Sequence, residues 1–128
     1  MADVLKKILV VDDDPIVLKL VEEVLKLNGF DVVTAKDGLD CMVMVKKEKP
    51  DLIVLDIMMP EINGYDVCRN LKFDDGYKNI PIIILTSRRR ELDPRIGTMM
   101  GIDYMSKPLD REVFLNKIQR LLGAKAKK

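Results

Sequence analysis

Short runs of consecutive apolar residues alternate along this sequence with longer stretches in which apolar residues recur at helical spacing. The runs predict strands at residues 8–11, 30–34, 52–55, 80–85 and 102–105. Because most of these runs are continuous rather than alternating, both faces of each strand are expected to be buried, as in a parallel sheet covered by helices. The alternation therefore predicts five rounds of strand followed by helix.

Helix signals occupy the stretches between the runs. Pro15 suits the first turn of a helix, with Asp14 as its N-cap, and Asn28 and Gly29 end that helix. The remaining helices are predicted at residues 38–47, 65–71, 94–100 and about 114–122. The predicted fold class is α/β, a doubly wound, five-stranded parallel sheet with five helices on its two faces. Residues 1–128 are expected to form a single domain, with a core at about 7–122 and a basic tail at 123–128.

Composition excludes several classes of protein. The formal net charge of +1 argues against a surface built for nucleic acid, and no apolar run approaches the roughly 20 residues of a membrane span. The sequence contains no histidine, which excludes histidine-ligated metals, histidine-based triads and a phosphohistidine donor. Cys41 and Cys68 lie in apolar helical patterns and are predicted to be buried thiols, so the expected location is the reducing cytoplasm.

Polar side chains follow four of the five predicted strands. Asp12 and Asp13 follow the first strand, Asp56 the third, Thr86 the fourth and Lys107 the fifth. In an open parallel sheet, ligands bind beyond the carboxyl ends of the strands, so we expect these side chains to share one edge. Each has an ordinary alternative role, since acidic residues cap helices and lysines are commonly solvated.

The three carboxylates and the lysine predict phosphoryl chemistry. Crowded carboxylates repel one another unless a cation joins them, and Mg²⁺ takes carboxylates together with phosphate oxygens. An aspartate can itself be a nucleophile that forms an aspartyl phosphate. The interpretation is phosphoryl transfer onto Asp56, with the metal and Lys107 stabilising the transferring group.

Four segments resemble the receiver domain of two-component response regulators: ILVVDDDP, DLIVLDIMMPEINGYD, IPIIILTS and DYMSKP. The resemblance covers residue 7 to about residue 122. It implies a flavodoxin-like fold with strand order 2-1-3-4-5. It also implies that Asp56 is the phosphoacceptor, and that Asp12, Asp13, Asp56 and the backbone carbonyl of Met58 hold Mg²⁺. Thr86 and Lys107 would contact phosphoryl oxygens, with a cis peptide bond between Lys107 and Pro108.

The same resemblance implies a signalling cycle. A sensor histidine kinase or a histidine phosphotransfer protein would donate the phosphoryl group. Thr86 and Tyr104 would then switch conformation to control a downstream protein or to pass the phosphoryl group on. The protein would be monomeric, or dimeric when phosphorylated, with neither nucleic-acid binding nor membrane insertion. The candidate partner face is formed by the fourth predicted helix, the fifth strand and the C-terminal helix, with Arg88, Arg89, Arg90, Arg95, Tyr104 and Arg111.

Met58 and Arg88 resemble the residues that flank the path of the attacking water in this family. Neither can orient that water as a carboxylate or an amide would, so we expect a slowly decaying aspartyl phosphate.

Three alternatives stay open at this point. A small aspartate-nucleophile phosphatase is one, although 128 residues leave no room for the cap insertion of that class. A flavodoxin-like electron carrier is disfavoured because the acidic DDDP segment repels an anion. A receiver that no longer takes phosphate is disfavoured because every expected polar residue is present. The leading expectation is a phosphoacceptor rather than an enzyme, either a single-domain regulator or part of a longer one.

Overall fold

The computed structural model describes residues 5–56, 64–86, 102–106 and 110–122. Within these ranges it describes the backbone alone for residues 64–66, 86, 102, 104 and 106. The strands are β1 (Lys7–Val11), β2 (Asp31–Ala35), β3 (Leu52–Asp56), β4 (Ile82–Thr86) and β5 (Ile102–Ser106). The helices in these ranges are α1 (Pro15–Leu27), α2 (Gly38–Glu48), α3 (Gly64–Lys72) and α4 (Arg111–Leu121). The helix predicted at 94–100 lies outside the described residues.

The strands form one parallel sheet in the order β2-β1-β3-β4-β5, which confirms the predicted sheet. β3 is the central strand and pairs with β1 on one side and β4 on the other, so that Val11 lies opposite Leu55 and Asp56 opposite Leu85. The chain runs from β1 outward to β2 and then returns to β3 on the other side of β1. That reversal of direction opens a crevice at the carboxyl ends of β1 and β3.

The core forms two layers, one on each face of the sheet, and consecutive strand residues alternate between them. Leu9 and Ile53 pack with buried residues of α2 and α3 in one layer. Ile8 and Leu52 pack with buried residues of α1 and α4 in the other. Because all of these strand residues are almost completely buried, the strands have continuous apolar sequences.

The predicted ends of α1 are confirmed. Pro15 is its first residue, and the Asp14 carboxylate accepts a hydrogen bond from the Ile16 amide at 2.9 Å. At the other end Asn28 is the C-cap, and Gly29 takes a φ of 88°, a left-handed conformation that glycine adopts without steric cost.

Two predicted strand starts were too early. Phe30 belongs to the turn that ends α1, since its amide donates to the Leu25 carbonyl, and β2 begins at Asp31. Ile80 likewise donates its amide to the Tyr77 carbonyl within a turn, and β4 begins at Ile82, after Pro81. In both cases the apolar residue packs on the core from a turn, and this burial made it resemble a strand residue.

Both cysteines are free thiols in the α2–α3 layer, where they are almost completely buried. Burial raises the pKa of each thiol to about 12. The prediction of buried thiols is confirmed. None of the helices in the described ranges is long and apolar enough to cross a membrane.

Candidate functional site

Three carboxylates meet at the carboxyl edge of the sheet. One carboxylate oxygen from each of Asp12, Asp13 and Asp56 lies within 4.8 Å of the other two. The sequence analysis predicted this set from its position after the first and third strands. The sheet order explains the meeting, because β1 and β3 are direct neighbours.

Hydrogen bonds fix Asp12, which is the first residue of the loop after β1. Its amide donates to the Ala35 carbonyl at the end of β2, at 3.2 Å. Its carboxylate oxygen Oδ1 accepts the Asp14 amide at 3.0 Å. Asp14 in turn caps α1, so the loop is held between the end of the sheet and the start of a helix. A short, tightly bonded loop of this kind keeps the acidic side chains at the crevice.

Asp56 is positioned differently, as the last residue of the central strand. The four residues before it are buried to 1% exposure or less, while Asp56 itself is 7% exposed. Its backbone cannot shift without breaking the pairing of β3 with its neighbours. The backbone that carries its carboxylate is therefore fixed at the edge of the sheet, which suits a nucleophile or a metal ligand.

The three carboxylates differ in exposure. Asp12 is 2% exposed, similar to the exposure of Asp56, whereas Asp13 is open to solvent. Two unit negative charges about 5 Å apart repel by roughly 3 kcal/mol at an effective dielectric constant of 20. Such an arrangement suits a cation that all three side chains can reach from the solvent side.

The donor set and spacing fit a small, hard divalent cation. Octahedral Mg²⁺ holds oxygens at about 2.1 Å, which places neighbouring ligands about 3 Å apart and opposite ligands about 4 Å apart. Carboxylate oxygens within 4.8 Å of one another are near this range, and small side-chain rotations would bring them onto one ion. Thiol and imidazole ligands are lacking because both cysteines are buried in the core and the sequence has no histidine.

Of the other residues predicted for the site or for the partner face, only three lie in the described ranges. Thr86 ends β4, one residue after the partner of Asp56, so its backbone lies at the same edge of the sheet. Tyr104 is at the middle of β5. Arg111 is exposed in the first turn of α4. The remaining predicted residues lie outside the described ranges, namely Met58, Arg88, Arg89, Arg90, Arg95, Lys107 and Pro108.

Sequence reasoning missed an open cavity at the opposite, amino-terminal edge of the sheet. It has a volume of about 580 Å³ and its lining includes Lys46, Lys49, Tyr77 and Ile80. The lining combines the end of α2 with the turns between α3 and β4. No local motif marks it, because each segment alone reads as an ordinary helix end or turn.

A family model described as "Response regulator receiver domain" matches residues 8–119. The alkaline phosphatase synthesis transcriptional regulatory protein PhoP of Bacillus subtilis (strain 168) is 44% identical over 110 residues. That match covers 84% of this chain and 45% of PhoP. Protein PilH of Pseudomonas aeruginosa PAO1 is 36% identical over 118 residues, covering 91% of this chain and 98% of PilH. The chain thus spans about half the length of the transcriptional regulators it matches and nearly all of PilH.

Among solved structures, the receiver domain of the sensor histidine kinase PA1611 from Pseudomonas aeruginosa PAO1 superposes with a TM-score of 0.84. The sequences are 27% identical, and the match covers 94% of this chain and 99% of that one. That structure holds a magnesium ion coordinated in its active site cleft.

Proposed function

Because the chain belongs to the response regulator receiver domain family, we propose that Asp56 is the residue that accepts the phosphoryl group in this protein. Receiver domains are phosphoacceptors of two-component signalling rather than enzymes with steady turnover. One observation carries the proposal: the Asp56 carboxylate ends the central strand and lies within 4.8 Å of those of Asp12 and Asp13. We also propose that residues 7–122 form one receiver unit, since the core layers draw on strands from β1 to β5 and on α4.

Asp12, Asp13 and Asp56 would hold a magnesium ion in this proposal, together with the backbone carbonyl of Met58. The mutual distance of the three carboxylates and their oxygen-only chemistry support it. The magnesium ion in the similar PA1611 receiver domain supports it further. When bound, the ion offsets the negative charge of the carboxylates and of the phosphoryl oxygens.

The transfer step forms one bond and breaks one. An oxygen of the Asp56 carboxylate attacks the phosphorus of a phosphohistidine, and the phosphorus–nitrogen bond breaks. The electron pair of that bond stays on the imidazole nitrogen of the donor. Lys107 and Thr86 would contact the phosphoryl oxygens, the lysine as a point charge and the threonine as a hydroxyl donor. The pairing of β3 contributes by fixing the backbone that carries the attacking oxygen.

The donor would be a sensor histidine kinase or a histidine phosphotransfer protein. Exposed apolar side chains beside the acidic cluster support docking of such a protein. Ile16 is 77% exposed and Leu20 is 54% exposed, on the first turns of α1 directly after the DDDP loop. A partner seated there would place its phosphohistidine over the crevice. Exchange with a cytoplasmic donor also agrees with the free, buried thiols of Cys41 and Cys68.

Phosphorylation would be read out through Thr86 and Tyr104. The phosphoryl group adds about −1.5 to −2 of charge at pH 7 and new acceptor oxygens, toward which the Thr86 hydroxyl turns. Tyr104 then rotates inward, which shifts an equilibrium between two packings. The register supports a connection, since Thr86 pairs with Ser106 and Ile84 with Tyr104. The readout surface would include Arg88, Arg89, Arg90, Arg95 and Arg111, toward a downstream protein or a second phosphorylated copy.

The aspartyl phosphate is predicted to decay slowly. Met58 and Arg88 offer neither a carboxylate nor a side-chain amide to orient the attacking water. Following the phosphorylated fraction by intact mass in magnesium buffer measures this directly. A half-life of seconds would show that another group orients the water.

Intact mass after incubation with a small acyl-phosphate donor tests the proposal. We expect a gain of one phosphoryl group in the wild type, and only with Mg²⁺. Asp56→Asn should show no gain, whereas Asp31→Asn, at the opposite end of the sheet, should match the wild type. Labelling that persists in Asp56→Asn would overturn the assignment. Steady hydrolysis of phosphate esters would instead favour the phosphatase alternative.

A further inference from the structure

The outer face of α2 is unusually apolar for a solvent-exposed helix face. Leu39 and Val43 are each 59% exposed, while Cys41 and Val45 on the inner face are completely buried. Leu39, Val43 and Lys46 are spaced four and then three residues apart, so they lie on one side of the helix. We call these three residues the α2 stripe. A helix whose only contact were the sheet would need no apolar side chains here.

The α2 stripe leads into the open cavity at the end of the helix. Lys46 belongs to both, and Lys49 and Pro50, just past the helix, continue the lining. Tyr77 and Ile80, both half-buried, form the apolar part of the other wall. Phe73, next to the lining residue Asp74, is 78% exposed. At about 580 Å³ the cavity has room for a large apolar side chain from another molecule.

The same end of α2 carries an excess of positive charge. Lys46, Lys47 and Lys49 are exposed and make no ion pair with another described residue. The one acidic lining residue, Asp74, has a carboxylate oxygen occupied by the Gly76 amide at 2.8 Å. Lysines in a last helical turn complement the helix dipole, which accounts for Lys46 and Lys47. The helix dipole does not account for the exposed apolar residues Leu39 and Val43 earlier in the helix.

Lys49 adds a conformational observation. It has a φ of 50°, the only positive φ of a non-glycine residue in the described part of the chain. A residue with a Cβ is disfavoured in this left-handed C-cap position, where glycine or asparagine is usual. The sequence thus keeps a lysine at a position where glycine would be more stable, and that lysine lines the cavity.

We propose that the α2 stripe and the adjoining cavity are a docking surface for an acidic amphipathic helix of a partner protein. The spacing of the stripe matches helix-on-helix packing, and the cavity takes an apolar anchor. Carboxylates on the partner pair with Lys46, Lys47 and Lys49, which supply the charge complementarity. The cavity and the three lysines lie at the opposite edge of the sheet from Asp56, whereas Leu39 is in the first turn of α2, at the edge where β2 ends. None of these side chains belongs to the acidic cluster, so the docking proposal does not depend on the proposed phosphorylation.

A second copy of this chain fits the surface less well. An antiparallel pair of α2 helices would place the three lysines of one copy against the start of α2 in the other. The acidic residues there are Asp37, which caps α2 by accepting the Asp40 amide at 2.8 Å, and Asp40, which accepts the Lys36 amide at 3.1 Å and lies 3.9 Å from the Lys36 ammonium. With Lys36, these two carboxylates leave a net charge of −1 at that end, which is too little to balance three lysines, and a distinct acidic partner is favoured.

Two synthetic helical peptides test the proposal on the whole chain. Both carry leucines on one face, and the other face carries glutamates in the first and lysines in the second. In ¹H–¹⁵N correlation spectra we expect only the glutamate peptide to shift amides of α2 and of residues 73–80. Lys46→Gln with Lys49→Gln should weaken that binding about fivefold, as expected for two exposed charge pairs. Lys19→Gln with Lys26→Gln, the same charge change on α1, should bind as the wild type does.

Several outcomes would overturn the proposal. These are the absence of shifts with the glutamate peptide, shifts that map elsewhere, or equal weakening by the α1 double variant. Sedimentation of the wild type provides a further check. A dimer that Val43→Lys dissociates would show that a second copy, rather than an acidic partner, covers the stripe. Phosphorylation of the α2 variants by a small acyl phosphate should be unchanged, which separates this test from that of Asp56.

Discussion

At the scale of single residues, the acidic cluster combines rigid and accessible carboxylates. Asp12 and Asp56 are almost completely buried, and hydrogen bonds or strand pairing hold their backbones. Asp13, between Asp12 and the helix cap Asp14 in the sequence, is exposed to solvent. Crowded carboxylates repel one another, and a bound cation offsets that repulsion. We therefore expect cation binding to be linked to folding stability.

Magnesium should stabilise this protein against unfolding. At a concentration 100 times the dissociation constant, a ligand specific for the folded state contributes about 2.7 kcal/mol. Thermal unfolding followed by circular dichroism should show the melting temperature rising with Mg²⁺. In Asp13→Asn that rise should be much smaller, whereas in Asp31→Asn, which is exposed at the other end of the sheet, it should persist. Equal rises in both variants would mean that Mg²⁺ stabilises the chain from another site.

At the scale of elements, one ion pair joins the end of α2 to the start of β1. The Lys7 ammonium lies 2.9 Å from a carboxylate oxygen of Glu48. The hydrogen bond between these two side chains lowers the pKa of the Glu48 carboxyl and raises the pKa of Lys7. Lys7 also donates its backbone amide to Asp51 at 2.8 Å. These contacts fix the amino-terminal edge of the sheet beside the cavity.

The contribution of Glu48 to stability should depend on pH in a defined direction. A carboxyl with a lowered pKa in the folded state stabilises the protein above its ordinary pKa of 4.5, and the effect is lost as the pH falls through the lowered value. Urea unfolding at a series of pH values measures this. The difference between the wild type and Glu48→Gln should be largest near neutral pH and should shrink in acid. Glu23→Gln, which removes a looser ion pair at 3.8 Å from Lys19 on α1, is the control for replacing a glutamate in an exposed pair.

At the scale of the whole molecule, the two core layers share every central strand. Adjacent residues such as Leu52 and Ile53 point into opposite layers, and both are completely buried. A strand cannot leave one layer without leaving the other. We therefore expect the described fold to unfold as one cooperative unit.

Truncations in either layer should destabilise both layers together. Leu52→Ala and Ile53→Ala should each cost about 2–5 kcal/mol in the free energy of unfolding. The thiols of Cys41 and Cys68 report on the α2–α3 layer, because burial holds them protected from labelling reagents. Leu52→Ala, in the other layer, should raise thiol labelling in step with the loss of circular dichroism. Thiol protection that survives while the circular dichroism midpoint falls would show that the layers unfold separately.

Much of the fold and site could be predicted because the signals are local. Apolar runs and helical spacing predicted the strands and helices, and Asp14 with Pro15 predicted the start of α1. The errors at Phe30 and Ile80 arose where an apolar residue packs on the core from a turn, which composition cannot separate from a strand. The carboxylates were found because Asp12 and Asp56 directly follow apolar runs.

The sequence by itself determined which segments form elements and which side chains stand at strand ends, because periodicity and capping act over a few residues. Only the tertiary structure decided that β1 and β3 are neighbours and that Asp12, Asp13 and Asp56 lie within 4.8 Å. It also decided that Leu39 and Val43 remain exposed, although their apolar character alone would place them in a core. Contacts between distant segments depend on which strands pair and which helix face meets the sheet. Those choices minimise the free energy of the whole chain rather than of any one segment.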